Sequence, residues 1–334
     1  MPYGPLQLSD TERASLLDNP SALVGLCNVQ RFSLPTSPAQ SHFRVFAIIL
    51  FSTPDVPGSV LLVEGTNSEP WHIGGSICAE RSCLVKLRFF TAPRILQVAI
   101  TTDSPVPVGP GMLCREYLMS MIPCSAEGPA AIVILGDCTG QHIVSCTVES
   151  LFPQPYIYRG IGRKNLAAFG ESFAAAKISP KPHGGWEDES MRLLYATALS
   201  ACQNDGHAAS RELHPISLAA AVMFDDGSMS VAWLLKGLEY GCSLDPVAQL
   251  VGIMVSKSTI RPMYLIFTDQ FGICHAPHAQ ARALLTEHGF ASAPIILIHG
   301  ANGECMAVTA EALSPPPPGL AEGVSAAFID KNCK

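Results

Sequence analysis

The order of secondary-structure signals between Phe43 and Leu135 recurs between Ile216 and Ile298, and a chain that carries one pattern twice is committed to two similar cores. In the first copy, Phe43 to Phe51 and Ser59 to Glu64 read as strands around a Pro/Gly turn. Ile77 to Phe89 reads as a helix, Ile95 to Thr102 as a buried strand, Met112 as the start of a second helix, and Ala131 to Leu135 as a further strand. In the second copy the order is Ile216 to Phe224, the turn Asp225 to Ser228, Met229 to Leu235, a helix from about Ser243, Met263 to Phe267, a helix near Ala279, and Pro294 to Ile298. Ser76 and Ser243, Pro110 and Pro277, and Arg115 and Arg282 all stand 167 residues apart, which fixes the register of the repeat without a gap. Strand, strand, helix, strand, helix, strand implies a layered α/β unit with helices on a mixed sheet.

The 334 residues suit two cores of ordinary size. The expected division is a first domain over 1–150, a Pro/Gly-rich connection over 151–186 with a helical patch at Leu166 to Ala176, and a second domain over 187–334 opening on a helix from Met191 to Cys202. Apolar residues make up 48 % of the chain, but no run approaches the ~20 needed to span a membrane. A net charge of -7 argues against a phosphate-binding surface, so the expected partner is a small molecule and neither nucleic acid nor membrane. Arg159-Gly-Ile-Gly-Arg-Lys164 lacks the full glycine fingerprint and reads as a basic connecting segment. The N-terminal residues show no secretory or transit pattern, which points to the cytoplasm, and the twelve cysteines read as mostly reduced.

The chemistry concentrates in Gly65-Thr-Asn-Ser-Glu-Pro-Trp-His-Ile-Gly-Gly-Ser-Ile-Cys-Ala-Glu80 and in Gly109-Pro-Gly-Met-Leu-Cys-Arg-Glu116. Cys78 and Cys114 each precede an apolar helical run. A thiol at a helix N-terminus is favoured as thiolate, the form that binds metal. Glu80 stands two residues past Cys78, where it can move protons beside a metal without ligating it.

These segments resemble the cytidine deaminase family. Gly65, Asn67, Glu69, Cys78, Ala79 and Glu80 match its Gly-x-Asn-x-Glu and Cys-Ala-Glu pattern without insertion. Ser41-His-Phe-Arg-Val45 is similar to its Ser-x-Phe-x-Val strand, and Pro110 to Arg115 to its Pro-Cys-x-x-Cys-Arg. With the repeat, the resemblance extends to the family's long form, a three-layer α/β/α fold with a mixed sheet, duplicated as a catalytic and a degenerate core. It implies zinc-dependent hydrolytic deamination of cytidine or deoxycytidine in pyrimidine salvage, and a homodimer. It makes Cys78 and Cys114 zinc ligands, Glu80 the proton shuttle, Asn67 and Glu69 the sugar-binding pair, and Phe43 and Ala79 part of the base pocket. Arg115 would be either a hydrogen-bond partner of the thiolates or an exposed helical residue.

Gly111 stands where the family has a second thiolate of that motif, while catalytic zinc normally keeps three protein ligands. His72, Cys83 or Cys124 could supply the third, although Cys83 should face away from Cys78 on the same helix. A second water is another option. A binding or scaffold protein that keeps the pocket without its metal is the alternative reading. In the second repeat Leu234, Lys236, Asp245, Val247, His278 and Ala281 stand where Asn67, Glu69, Cys78, Glu80, Gly111 and Cys114 stood, so this copy lacks the chemistry. Asp245 with His275 and His278 could form a structural metal site, and solvated or core-bonded histidines are the simpler reading.

Overall fold

The computed structural model describes residues 5–70, 75–122, 130–178, 189–205, 214–236, 243–257 and 259–317. They form two compact units, one of Met1–Phe152 with Pro315–Lys334 and one of Pro153–Ser314.

Unit 1 holds strands β1 (Leu6–Gln7), β2 (Val45–Ser52), β3 (Leu61–Thr66), β4 (Arg94–Thr102), β5 (Ile132–Gly136) and β6 (Ile143–Thr147). Its helices are α1 (Asp10–Leu17), α2 (Pro20–Ser33), α3 (Ala79–Leu87), α4 (Met112–Met121) and α5 (Val148–Leu151). The sheet order is β1-β3-β2-β4-β5-β6, with β4 and β5 parallel and the other neighbours antiparallel. The near-continuous apolar run of β2 follows from its central place, since a strand covered on both faces has no polar side to present. Phe46, Ile48 and Leu50 pack with Leu23, Val24 and Cys27 of α2. The intervening residues face the other way, where the Cys83 thiol of α3 donates to the Ala47 carbonyl. Each such fully buried aliphatic side chain contributes roughly 1.5–3 kcal/mol.

Two features set the approach to the site. Gly65 on β3 lies so close to α3 that an added Cβ would sit 2.5 Å from the Ala79 carbonyl oxygen and 2.8 Å from the Cys83 Sγ, so only glycine lets the helix start where it does. Arg31, fully buried on α2, donates to the Asp103 carboxylate and to the Cys138 carbonyl, and Asp103 in turn accepts from the Arg44 backbone at 2.8 Å. This ties the end of β4 to the start of β2, beside Phe43.

Unit 2 repeats the design. After a short 3-10 turn and α6 (Leu166–Lys177) come α7 (Glu189–Ala201), β7 (Leu218–Phe224), β8 (Met229–Trp233), α8 (Pro246–Ser256), β9 (Pro262–Asp269), α9 (Ala279–Glu287), β10 (Ile295–His299), β11 (Cys305–Val308) and α10 (Ala310–Leu313). The order β11-β10-β9-β7-β8, parallel only between β9 and β10, matches β6-β5-β4-β2-β3 strand for strand. Met191, Leu194 and Ala198 of α7 pack with Ala221 and Met223 on one face. Val247, Leu250 and Val251 of α8 pack with Ala220, Val222 and Phe224 on the other. The segment read as a connection contributes to this core, because Tyr158, Leu166 and Phe173 pack into it.

The spacing of 167 holds in three dimensions. The isolated bridge Ser68–Ile77 ahead of α3 recurs as Leu235–Leu244 ahead of α8, and the helices begin at Ala79 and Pro246, Met112 and Ala279. Helices α1 and α2, edge strands β6 and β11, and the one-turn helices α5 and α10 carry weak sequence signals and lie outside the elements read from it.

Gly65→Ala should lower unfolding free energy by about 1–3 kcal/mol, the ordinary cost of overpacking. Chemical denaturation measures it, and an unchanged midpoint would contradict the close approach of β3 and α3.

Candidate metal and nucleoside site

Cys78 is the N-cap of α3 and Glu80 lies in its first turn, while Cys114 lies in the first turn of α4. The two N-termini converge, so that ligand atoms of Cys78, Glu80 and Cys114 lie within 4.8 Å of one another; among the described residues this is the one such group of three His, Cys, Asp or Glu. The residues were named separately from the sequence and the fold brings them together.

Their electrostatics differ sharply. Cys78 is pulled down to about 6, first by a hydrogen bond from Cys114 and then by Arg81 against the opposing effect of burial. Arg81 Nη2 reaches the Cys78 Sγ at 3.7 Å and the Ser76 carbonyl at 2.9 Å. Cys114 is pushed up by the same hydrogen bond, by burial and by Glu80, so in the metal-free pair Cys78 is the thiolate and Cys114 its donor. Glu80 is 3 % exposed and raised to about 7 by burial and then by the negative charge on Cys78. Its Oε2 is buried without a hydrogen-bond partner. An orphaned carboxylate oxygen beside two soft sulfur donors fits a site that receives zinc and a polar ligand.

The sugar-pair candidates are organised by each other. Asn67 accepts from Val45 N at 2.9 Å and donates to the Phe43 carbonyl at 2.9 Å. Burial opposes ionisation of Glu69, but Ser41 donates to it from both its backbone and hydroxyl, at 2.8 and 2.7 Å, and the net shift is downward. These bonds draw the Ser41–Val45 segment, and with it Phe43, to the Asn67–Glu69 loop. Ala79, fully buried, is the first residue of α3.

The third-ligand candidates resolve in part. Cys83 is buried with its thiol on the Ala47 carbonyl and does not join the group, whereas His72 and Cys124 lie outside the described residues. Gly111 is the N-cap of α4 with φ -62° and ψ 161°, close to the -71° and 158° of Cys78. A Cβ there would meet nothing within 4 Å, so neither backbone nor packing requires glycine.

Arg115 behaves otherwise than either sequence reading. It is buried, and its guanidinium donates to the carbonyls of Pro110, Leu151 and Pro315 rather than to the thiols. The cation beside the sulfurs is Arg81, which sequence reasoning missed. The signal was present, since residues i and i+3 share a helix face. Ser41 was quoted within the strand motif without its role as donor to Glu69.

In unit 2 the corresponding positions are spent internally. Asp245 caps α8 by accepting from Ala248 N at 2.9 Å, and His275 pairs with Asp269 at 3.0 Å. Asp245, His275 and His278 therefore do not form a metal cluster among the described residues. Lys236 is ion-paired with Asp205 at 2.6 Å, both side chains 3 % exposed.

The chain is 31 % identical over 113 residues to the cytidine deaminase of Halalkalibacterium halodurans, covering 34 % of this chain and 76 % of that protein. Among solved structures, it is similar to the cytidine deaminase of Mycobacterium tuberculosis (24 % identity, TM-score 0.32, 40 % of this chain and all of the other). It is also similar to that of Burkholderia pseudomallei (21 % identity, TM-score 0.32, 40 % and 97 %). No protein-family model matches the chain. Among the described residues no helix is long and apolar enough to cross a membrane.

In the metal-free protein, alkylation of Cys78 should rise through a midpoint near pH 6, because the reactive thiolate exists above that value. Arg81→Gln should move the midpoint upward. A wild-type midpoint near the ordinary 8.5 for cysteine would contradict the assigned environment.

Proposed function

Because this chain belongs to the cytidine deaminase family, we propose that unit 1 hydrolyses cytidine or deoxycytidine to the corresponding uridine with release of ammonia. The observation that carries this reading is the convergence of Cys78, Glu80 and Cys114 at two helix N-termini. Cys78 and Cys114 would hold zinc, with Arg81 balancing their charge. Zinc so held would supply an activated water as nucleophile near pH 7.

The remaining steps belong to the chain. Glu80 takes a proton from water and delivers protons to the ring nitrogen and the departing amine. An acid held at about 7 by burial exchanges protons readily in both directions at neutral pH. Asn67 and Glu69 bind the sugar hydroxyls, and Phe43 and Ala79 border the base. Acting on a free nucleoside would make the reaction a step of pyrimidine salvage, with the cytoplasm as its expected compartment. Unit 2, with its corresponding positions filled by an N-cap and a buried ion pair, is the degenerate core.

A homodimer is supported by exposed apolar residues one turn apart on neighbouring helices, Val85 and Phe89 at α3 and Leu113 and Tyr117 on α4, since such a patch marks an interface. Sedimentation at twice the 35.5 kDa chain mass is expected, and loss of the dimer in Phe89→Asp. A monomeric wild type would end this part of the reading.

The alternative, a nucleoside-binding protein without turnover, is favoured by one observation, the missing thiol at Gly111. Metal analysis and the ultraviolet spectrum of cytidine decide between them. The enzyme reading expects one zinc per chain and a spectral change on incubation; a zinc-free protein that leaves cytidine unchanged would sink it. Glu80→Gln should abolish turnover with zinc retained. Gly111→Cys should fold normally and bind zinc more than ~10-fold tighter, since it adds a thiolate where space exists.

A further inference from the structure

We propose that the strap Pro315–Pro317, anchored by Arg115, is a positioning element for the metal site of unit 1, holding the loop before α4 and hence Cys114 in place. The inference rests on Cys78 and Cys114 being metal ligands. Arg115 ties three segments together: its Nε donates to the Pro110 carbonyl at 2.7 Å, and its Nη1 to those of Leu151 at 3.0 Å and Pro315 at 2.8 Å. Two residues further on, buried Pro317 packs on Gly109 so closely that a Cβ on that glycine would lie 2.5 Å from the Pro317 Cγ. The loop Gly109-Pro110-Gly111 is therefore held by both groups, the proline ring and the guanidinium Nη2 each lying against the Cβ position of Gly109 while Nε binds the Pro110 carbonyl. The next turn of chain carries Cys114.

Unit 2 repeats the clamp. Arg282 Nε donates to the Pro277 carbonyl at 2.7 Å, Nη1 to those of Leu313 and Pro153 at 2.8 Å, and Nη2 to that of Gln154 at 2.8 Å. This strap leads to Tyr156, whose ring centroid lies 5.1 Å from that of His278, the N-cap that corresponds to Gly111. An Arg-held strap against the loop before the second helix thus belongs to the architecture of both units, and only in unit 1 does that loop lead to a thiol of the donor group. There the N-cap is a glycine with nothing within 4 Å of its Cβ position, so no side chain at 111 steadies the loop. The strap supplies that constraint from Gly109. Groups that orient metal ligands typically change metal affinity by roughly 10- to 100-fold when removed.

The test measures zinc affinity of the full chain by competition with a chromophoric chelator, beside the melting temperature of the metal-free protein. Arg115→Lys, which cannot span three carbonyls, and Pro317→Ala, which removes the ring contact at little cost to folding, should each weaken zinc binding by about 10-fold or more. Arg282→Lys breaks the equivalent clamp in unit 2 and should lower the melting temperature about as much as Arg115→Lys while leaving zinc affinity unchanged. Wild-type zinc binding that neither Arg115→Lys nor Pro317→Ala alters would overturn the strap's role and leave the metal site standing, as would an equal loss in Arg282→Lys. A wild-type chain that takes up no zinc would overturn the metal site and the strap's role together.

Discussion

The convergence of two helix N-termini on one point is the constraint from which the rest of unit 1 follows. Exposed amides and aligned peptide dipoles make that point favourable for negative charge. Cys78 can hold a thiolate near pH 7 because it sits there with a hydrogen-bond donor and Arg81 beside it. Its charge, together with burial, then works against ionisation of Glu80 two residues away. One geometry thus pushes a thiol down and a carboxyl up, and the pair that the proposed metal binding and proton transfer call for arises from a single arrangement of backbone. The convergence depends on contacts that leave no room for a side chain: α3 meets β3 at Gly65, and the loop before α4 meets Pro317 at Gly109.

Unit 2 shows what the same backbone does without that chemistry. The N-cap position remains occupied at Asp245, but its carboxylate is spent on Ala248 N. Val247 fills the place of Glu80 as a buried aliphatic residue, and Ala281 that of Cys114. Lys236, at the position of Glu69, is ion-paired with Asp205 and also donates to the His214 carbonyl at 3.0 Å, so this position is taken up within unit 2. What survives in both units is the arginine: Arg115 and Arg282 make nearly the same bonds. Its retention where the thiols are gone agrees with a role in holding backbone rather than neutralising sulfur.

Much of this was legible in the sequence because the informative features are local. β2 shows itself by a run of seven apolar residues, Val45 to Phe51, α3 by the residues following Cys78, and the correspondence of the units by the constant 167-residue spacing. Helices α1 and α2 were not read, because their apolar residues are interrupted by polar ones, and Arg31, a charged residue within α2, is fully buried. Its burial is made possible by Asp103 and Cys138, more than seventy residues away, which no local pattern reveals. The straps were illegible for the same reason. Nothing local in the proline run from Pro315 to Pro318 signals a partner, yet the Pro315 carbonyl and the Pro317 ring contact residues some two hundred positions earlier.

Gly111 is where the distinction between fold and site matters most. Gly65 and Gly109 are glycines because the fold leaves them no space, and changing either would trade chemistry against stability. Gly111 has the dihedrals of an ordinary N-cap and open space at its Cβ, so the fold neither demands glycine nor gains packing from it. A donor lost at such a position weakens metal binding without disturbing the convergence of the helices, the burial of Glu80 or the bonds that organise Asn67 and Glu69. That separation explains how a chain can lack one thiol of its family's motif and still bring Cys78, Glu80 and Cys114 together at two helix N-termini. It also leaves the placing of Cys114 to the backbone around α4, which Arg115 and Pro317 hold.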